Sequence, residues 1–99
     1  MRPSRNPLLV EAFGVVLKER RNELSLTQED LAGAAEIDRP YITMIEAARK
    51  QPTLSVLWRI ASGLQLSAAE LMKRVDEKYL KLEAVALRAS KKPRKANDQ

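Results

Sequence analysis

Residues 27–46, TQEDLAGAAEIDRPYITMIE, decide the fold. Thr27 is a helix N-cap, and Asp30 three residues later is placed as the reciprocal partner of a capping box. Leu31, Ala32 and Ala35 follow at helical spacing, so a first short helix runs from about Gln28 to Ala35. Glu36 and Ile37 make a turn. Asp38 is placed to cap a second helix that ends near Ala47. Arg39 is its first residue and Pro40 its second, where a missing N–H is tolerated. Ile37, Ile42 and Ile45 join Leu31, Ala32 and Ala35 in one apolar set, and small Ala32 opposite Ile42 lets the helices cross closely. The other face of the second helix carries Arg39, Pro40, Thr43 and Met44. Two helices this short cannot bury their own apolar side, so the remaining chain has to cover it and leave the polar face open.

Upstream, residues 1–6 hold two Arg and a Pro without periodicity and read as a flexible arm. Asn6 followed by Pro7 starts a helix, with a capping side chain and then Pro at the first helical position. Val10, Phe13, Val16, Leu17 and Leu24 recur at steps of three and four, giving an amphipathic helix over about 7–24. Arg21 falls beside its apolar stripe. Gly33, inside the next helix, suggests close packing against a neighbour. Downstream, Arg49, Lys50 and Gln51 make a polar link closed by Pro52. Thr53 caps a helix over 54–64 whose apolar residues, Trp58 among them, point to core or to a seam between copies. Ser67-Ala68-Ala69-Glu70 is a second capping box, opening a stripe of Leu71, Met72, Val75, Tyr79, Leu82 and Val85 or Ala86 that reaches Leu87. Residues 88–99 are charged and poor in apolar side chains, the composition of a disordered tail. No strand pattern occurs. The fold class is all-α: a compact five-helix domain over 7–73 with an extended C-terminal helix, 74–87.

Composition narrows the chemistry. The 99 residues make one small domain, and with 4% aromatics its core is aliphatic. There is no Cys and no His, which removes disulfides, thiolate nucleophiles, most zinc sites and the commonest general base. Neither a phosphate-cradling Gly-rich loop nor a carboxylate pair in a plausible cleft stands out. The sequence therefore implies no enzyme, no metal and no cofactor, and the absence of a sensory domain implies no small-molecule effector. No apolar run nears the ~18 residues that span a bilayer, and the N-terminus lacks a secretory h-region, so the expected setting is cytoplasmic. The net charge of +5 resides in the ends. Residues 6–87 carry 11 basic and 12 acidic side chains, a net of −1. A uniformly basic surface is excluded, although a local patch is not.

The strings LKERRNELSLTQEDLA (17–32), IDRPYITMIE (37–46), QPTLSVLWRIASGL (51–64) and LSAAELM (66–72) resemble the helix-turn-helix domain of phage-repressor and Cro-like regulators, in register over about 8–73. The resemblance implies a five-helix fold, binding to operator DNA and homodimers. It implies base contact from Arg39, Pro40, Thr43 and Met44, and backbone contact from Gln28, Asp38, Tyr41, Arg49 and Lys50. It matches Arg21 and Glu46 to an internal salt bridge between helix 1 and the end of helix 3. Members often have Gly where this chain has Ser25, Glu36, Ala47-Ala48 and Gln65, and a non-Gly residue in the left-handed region costs roughly 1 kcal/mol or more.

The physics of the groove agrees. A major groove admits one α-helix, and residues near its N-terminus reach the base edges. Arg39 can fork onto guanine. Thr43 can bond a base or lay its methyl on thymine, and Pro40 and Met44 offer apolar contact to thymine methyls. The stripe Leu71, Val75, Tyr79 and Leu82 either packs back on its own domain or pairs with a second chain; the favoured expectation is a dimer seam, which would set two recognition helices ~34 Å apart on palindromic double-stranded DNA. The leading expectation is a sequence-specific transcriptional regulator, a repressor or autoregulator. The alternative is a protein-interaction module, such as an antitoxin, built on the same fold.

Overall fold

The computed structural model describes residues 5–91, and all of its regular structure is helical. α1 is Pro7–Glu23, α2 Gln28–Ala35, α3 Arg39–Glu46, α4 Leu54–Gly63 and α5 Ala68–Lys91. α1 lies across both α3 and α5, and α2 packs on α3 and α4. Leu17, Leu31, Ile42, Ile45, Ile60, Leu64 and Leu71 are fully buried where these helices meet. Gly14 allows the closest approach: a Cβ there would sit 2.5 Å from the carbonyl oxygen of Ile45. α1 and α3 are therefore in backbone contact behind the helix pair.

The start signals hold at four helices. Asn6 accepts from the Leu9 amide and Thr53 from the Val56 amide. Both capping boxes close: Thr27 with Asp30, and Ser67 with Glu70. These bonds hold the carboxyls of Asp30 and Glu70 below their usual pKa. Asp38 occupies the cap position of α3 but makes no side-chain cap hydrogen bond. Its two usual partners are missing. Pro40 has no N–H, and the Tyr41 amide already donates to the Asp38 main-chain carbonyl at 3.0 Å. Gly33 differs too, since nothing lies within 4 Å of a Cβ built there. It makes no close contact.

The four positions that lack glycine all turn left-handed. Ser25, Glu36, Ala48 and Gln65 have φ of 57°, 58°, 59° and 61°. Each belongs to the same two-bond helix stop. The amides of Leu26, Ile37, Arg49 and Leu66 reach back to the carbonyls of Arg21, Ala32, Met44 and Ala61. The left-handed residue itself donates to the carbonyl three positions earlier. This is the Schellman arrangement. Ile37 and Leu66 then pack against the core, so an apolar contact helps offset the strain.

Two expectations about the C-terminal part are corrected. α5 continues to Lys91, so residues 88–91 belong to the helix and not to a disordered tail; residues 92–99, like 1–4, lie outside the described residues. Leu71 and Val75 are not seam residues, because they are 0% and 3% exposed in the core of their own chain. Tyr79 and Leu82 pack against the same core, and the Tyr79 hydroxyl accepts from Asn6 and donates to Glu83. Periodicity reveals an apolar stripe but not its cover, and here the cover is α1. Salt bridges Arg74–Glu23 and Lys78–Glu19 fasten that contact. Trp58, expected to be core or seam, is 59% exposed and so is not core.

The helix stops predict a stabilising substitution. Gln65→Gly removes a left-handed penalty of about 1–2 kcal/mol and adds backbone entropy to the unfolded chain worth about 0.4–1 kcal/mol. The net gain is roughly 0.5–1 kcal/mol, which should raise Tm by about 2–8 °C for a domain of this size. An unchanged or lower Tm in a thermal melt would contradict the strain argument.

Candidate nucleic-acid interface

The outer face of α3 is open. Arg39, Pro40, Thr43 and Met44 are all exposed and share its N-terminal two turns. The Arg39 side chain lies 3.7 Å from Glu29 on α2, an exposed ion pair that aligns it without burying it. The α3 N-terminus adds the partial positive charge of a helix start. Pro40 and Met44 bring apolar surface to either side of Thr43.

A rim of donors flanks this face. Arg49 and Lys50 are exposed just past the α3 stop, and the Lys50 ammonium stands 5.2 Å from the centre of the half-buried Tyr41 ring. Arg5 joins them, its guanidinium donating to the Ala48 carbonyl at 3.1 Å. Sequence reasoning had Arg5 only as part of a basic arm. The sole hint in the sequence was its charge, because a contact across 43 positions leaves no pattern. Asp38 is exposed beside the same helix start; an ionised carboxylate cannot donate to phosphate, so only its main-chain amide suits that role.

Behind the face runs a chain of polar contacts. Arg21, on the buried side of α1, donates from Nε to Glu46 Oε2 at 2.6 Å and from Nη2 to Glu46 Oε1 at 3.0 Å. Its third contact is to the Leu26 carbonyl at 2.7 Å. The hydrogen bond to Glu46 raises the Arg21 pKa against the opposing effect of burial. Gln28 then donates from Nε2 to Glu46 Oε1 at 2.9 Å, and Thr43 donates from Oγ1 to Gln28 Oε1 at 2.7 Å. The expected Arg21–Glu46 bridge thus exists, and two candidate contact residues, Gln28 and Thr43, are strung onto it.

Among the described residues no group of His, Cys, Asp and Glu could hold a metal ion. The cleft between α1 and the 51–52 link is lined by Asn6, Phe13, Leu57 and Met72 among others, with no titratable side chain. The expected seam residues stand on α5 and are not part of the exposed α3 face; Leu71 and Val75 share the core with Ile42 and Ile45.

A helix-turn-helix family model matches residues 17–71, more than half of the chain. The chain belongs to the helix-turn-helix family. Its relatives are transcriptional regulators and restriction–modification controllers. It is 37% identical over 60 residues to the HTH-type transcriptional regulator DdrOP3 of Deinococcus deserti, a match covering 61% of this chain but 46% of that protein. The chain thus spans under half the length of that relative. It is 33% identical over 66 residues to the control protein C.MunI of Mycoplasma sp, covering 66% of this chain and 89% of the relative. The restriction–modification controller C.Esp1396I superposes with a TM-score of 0.69 at 34% identity, covering 74% of this chain and 95% of that one. The same controller, as a tetramer in complex with its natural 35 base-pair operator, gives 0.69 at 33% identity and 73% and 95% coverage. In this helix-turn-helix protein α2 and α3 are the motif itself, and its polar face is the one left uncovered.

Proposed function

We propose that this helix-turn-helix protein is a sequence-specific DNA-binding transcriptional regulator of the cytoplasm, a repressor or autoregulator. Two copies would set α3 in successive major grooves of a palindromic operator. The observation that carries the proposal is the uncovered N-terminal face of α3, with Arg39, Pro40, Thr43 and Met44 exposed together. Arg39, Pro40, Thr43 and Met44 face bases in this proposal. Gln28, Tyr41, Arg49, Lys50 and the main-chain amide of Asp38 face the backbone, with Arg5 added to them. The controller neighbour bound to its operator supports a DNA partner.

The homodimer is kept and its seam moved. With Leu71 and Val75 buried in their own core, the apolar surface assigned to a second copy is the one on α4 and the start of α5. Leu54 and Trp58 stand one turn apart, 71% and 59% exposed. A shallow depression of Ala61, Leu66, Ala69 and Met72 continues from Trp58. Exposed apolar patches of this kind mark interaction surfaces. The alternative, a protein-interaction module such as an antitoxin, draws on one observation: Leu80, Val85 and Leu87 are exposed on the distal part of α5.

Two outcomes are expected. Selection from random duplexes should enrich a palindrome, and the log of its affinity should fall with log salt at a slope near −5. That slope corresponds to about six phosphates neutralised by Arg5, Arg49 and Lys50 of two copies. Arg39→Ala should cost roughly 1–3 kcal/mol per half-site and relax one guanine. No enrichment, with Arg39→Ala binding like the wild type, would favour the interaction module. For the dimer, light scattering should give two chains for the wild type and one folded chain for Trp58→Arg, whereas Val75→Asp should lose its helical circular dichroism signal. A Trp58→Arg variant that stays paired would overturn the relocated seam.

A further inference from the structure

Thr43 carries one hydroxyl proton and two lone pairs, so its role in a groove depends on where that proton points. The protein decides this through three other residues, Gln28, Glu46 and Arg21. Arg21 gives two N–H groups to Glu46, whose side chain is 5% exposed. Glu46 therefore accepts at both of its carboxylate oxygens. Its neighbour Gln28 has to present the amide nitrogen to it, as the 2.9 Å contact from Nε2 to Oε1 requires. Turning the Gln28 amide over would set oxygen against oxygen. With the nitrogen committed, Gln28 Oε1 faces Thr43 at 2.7 Å and can only accept. The Thr43 proton goes inward. A second internal acceptor, the Arg39 carbonyl at 3.2 Å, competes for the same proton and points the same way. Donation outward to a base would leave the two oxygens 2.7 Å apart with no proton between them.

We infer that Thr43 reads the major groove as an acceptor only, taking a hydrogen bond from an exocyclic amino group, N6 of adenine or N4 of cytosine, and that Gln28 is the positioning residue that sets this polarity. The inference rests on the proposal that α3 enters the major groove, and it adds the chemistry of one base position. The major groove offers both signs: those amino groups donate, while guanine O6 and N7, adenine N7 and thymine O4 accept. Thr43 is thereby aimed at one half of that code. Arg39, which only donates, takes the other half. The two readers are complementary, and neither can substitute for the other at its position.

The test uses the full chain and the duplex obtained by selection. Amino groups are deleted one at a time, adenine to purine and cytosine to pyrimidin-2-one, and acceptors are deleted with 7-deazapurines. One amino deletion per half-site should weaken wild-type binding about fivefold to tenfold, the worth of one hydrogen bond. Thr43→Val should already be weaker by a similar factor and indifferent to that deletion, while Thr43→Ser should keep the sensitivity. Gln28→Met should shrink the penalty for the same deletion, as the ratio of affinities for intact and deleted duplex. A purely structural Gln28 would lower both affinities and leave that ratio unchanged, which would overturn its positioning role. A selected duplex that tolerates every amino deletion, or whose Thr43-dependent position responds to 7-deaza substitution, would overturn the inference while leaving the regulator intact. A chain that enriches no duplex would instead remove the functional proposal and this inference with it.

Discussion

The ion pair between Arg21 and Glu46 is the constraint on which the recognition surface depends. Both side chains are nearly out of water, 11% and 5% exposed, and their closest contact is 2.6 Å. Burying two charges is costly, and the attraction offsets that cost only when the remaining donors and acceptors are used. They are used here. The third Arg21 contact satisfies Leu26 at the α1 stop, and the second oxygen of Glu46 is shared with Gln28 at the start of α2. One pair thus joins α1, α2 and α3, and none of the described buried side-chain polar atoms lacks a partner. Gly14 works with it, since only a residue without Cβ lets α1 come against the last turn of α3.

That placement explains why two short helices hold a fixed face. An eight-residue helix is not stable alone. α3 is held by Ile42 and Ile45 in the core and by Glu46 at its end, while its first turn lacks a side-chain cap. Arg39, Pro40, Thr43 and Met44 stand on its exposed side, touching α2 only through side chains of Gln28 and Glu29. Around it the basic groups are few and local, Arg5, Arg49 and Lys50, consistent with a net charge of −1 over residues 6–87. In the proposed complex, sequence-independent attraction is therefore concentrated at the rim, and the centre of the face is left to discriminate.

Much of this was legible in the residues. Capping pairs and three–four spacing placed all five helices to within a residue or two, except the end of α5, where charge was taken for disorder. Lys and Arg are good helix formers, so composition alone did not mark that boundary. The turns were located by breaks in the helical spacing, where family members often have glycine, yet Ser25, Glu36, Ala48 and Gln65 adopt the left-handed geometry without it, because the hydrogen-bonded stop holds them there. Leu71 and Val75 were taken for seam residues for a different reason. α4 and α5 each have two apolar sides, and nothing in a one-dimensional period says which side a neighbour covers. Leu71 and Val75 went inside; Leu54 and Trp58 stayed out. The pairing of Gln28 with Thr43 was not legible, since it joins two helices through a third residue. Only the Arg21–Glu46 pair was foreseen, because the family resemblance implied it, and it accounts for the odd position of an Arg beside an apolar stripe.

The central claim is that this buried pair orders the surface that discriminates. It is tested by replacing both charges at once, Arg21→Met with Glu46→Leu, which leaves no unpaired buried charge and so should remain folded. The decisive quantity is the ratio of affinities for the selected operator and for a scrambled duplex at one salt concentration. The account predicts that the double variant keeps its salt-dependent binding to the scrambled duplex, because the rim cations are untouched, and loses about tenfold or more of the ratio. A folded double variant with undiminished discrimination would contradict it.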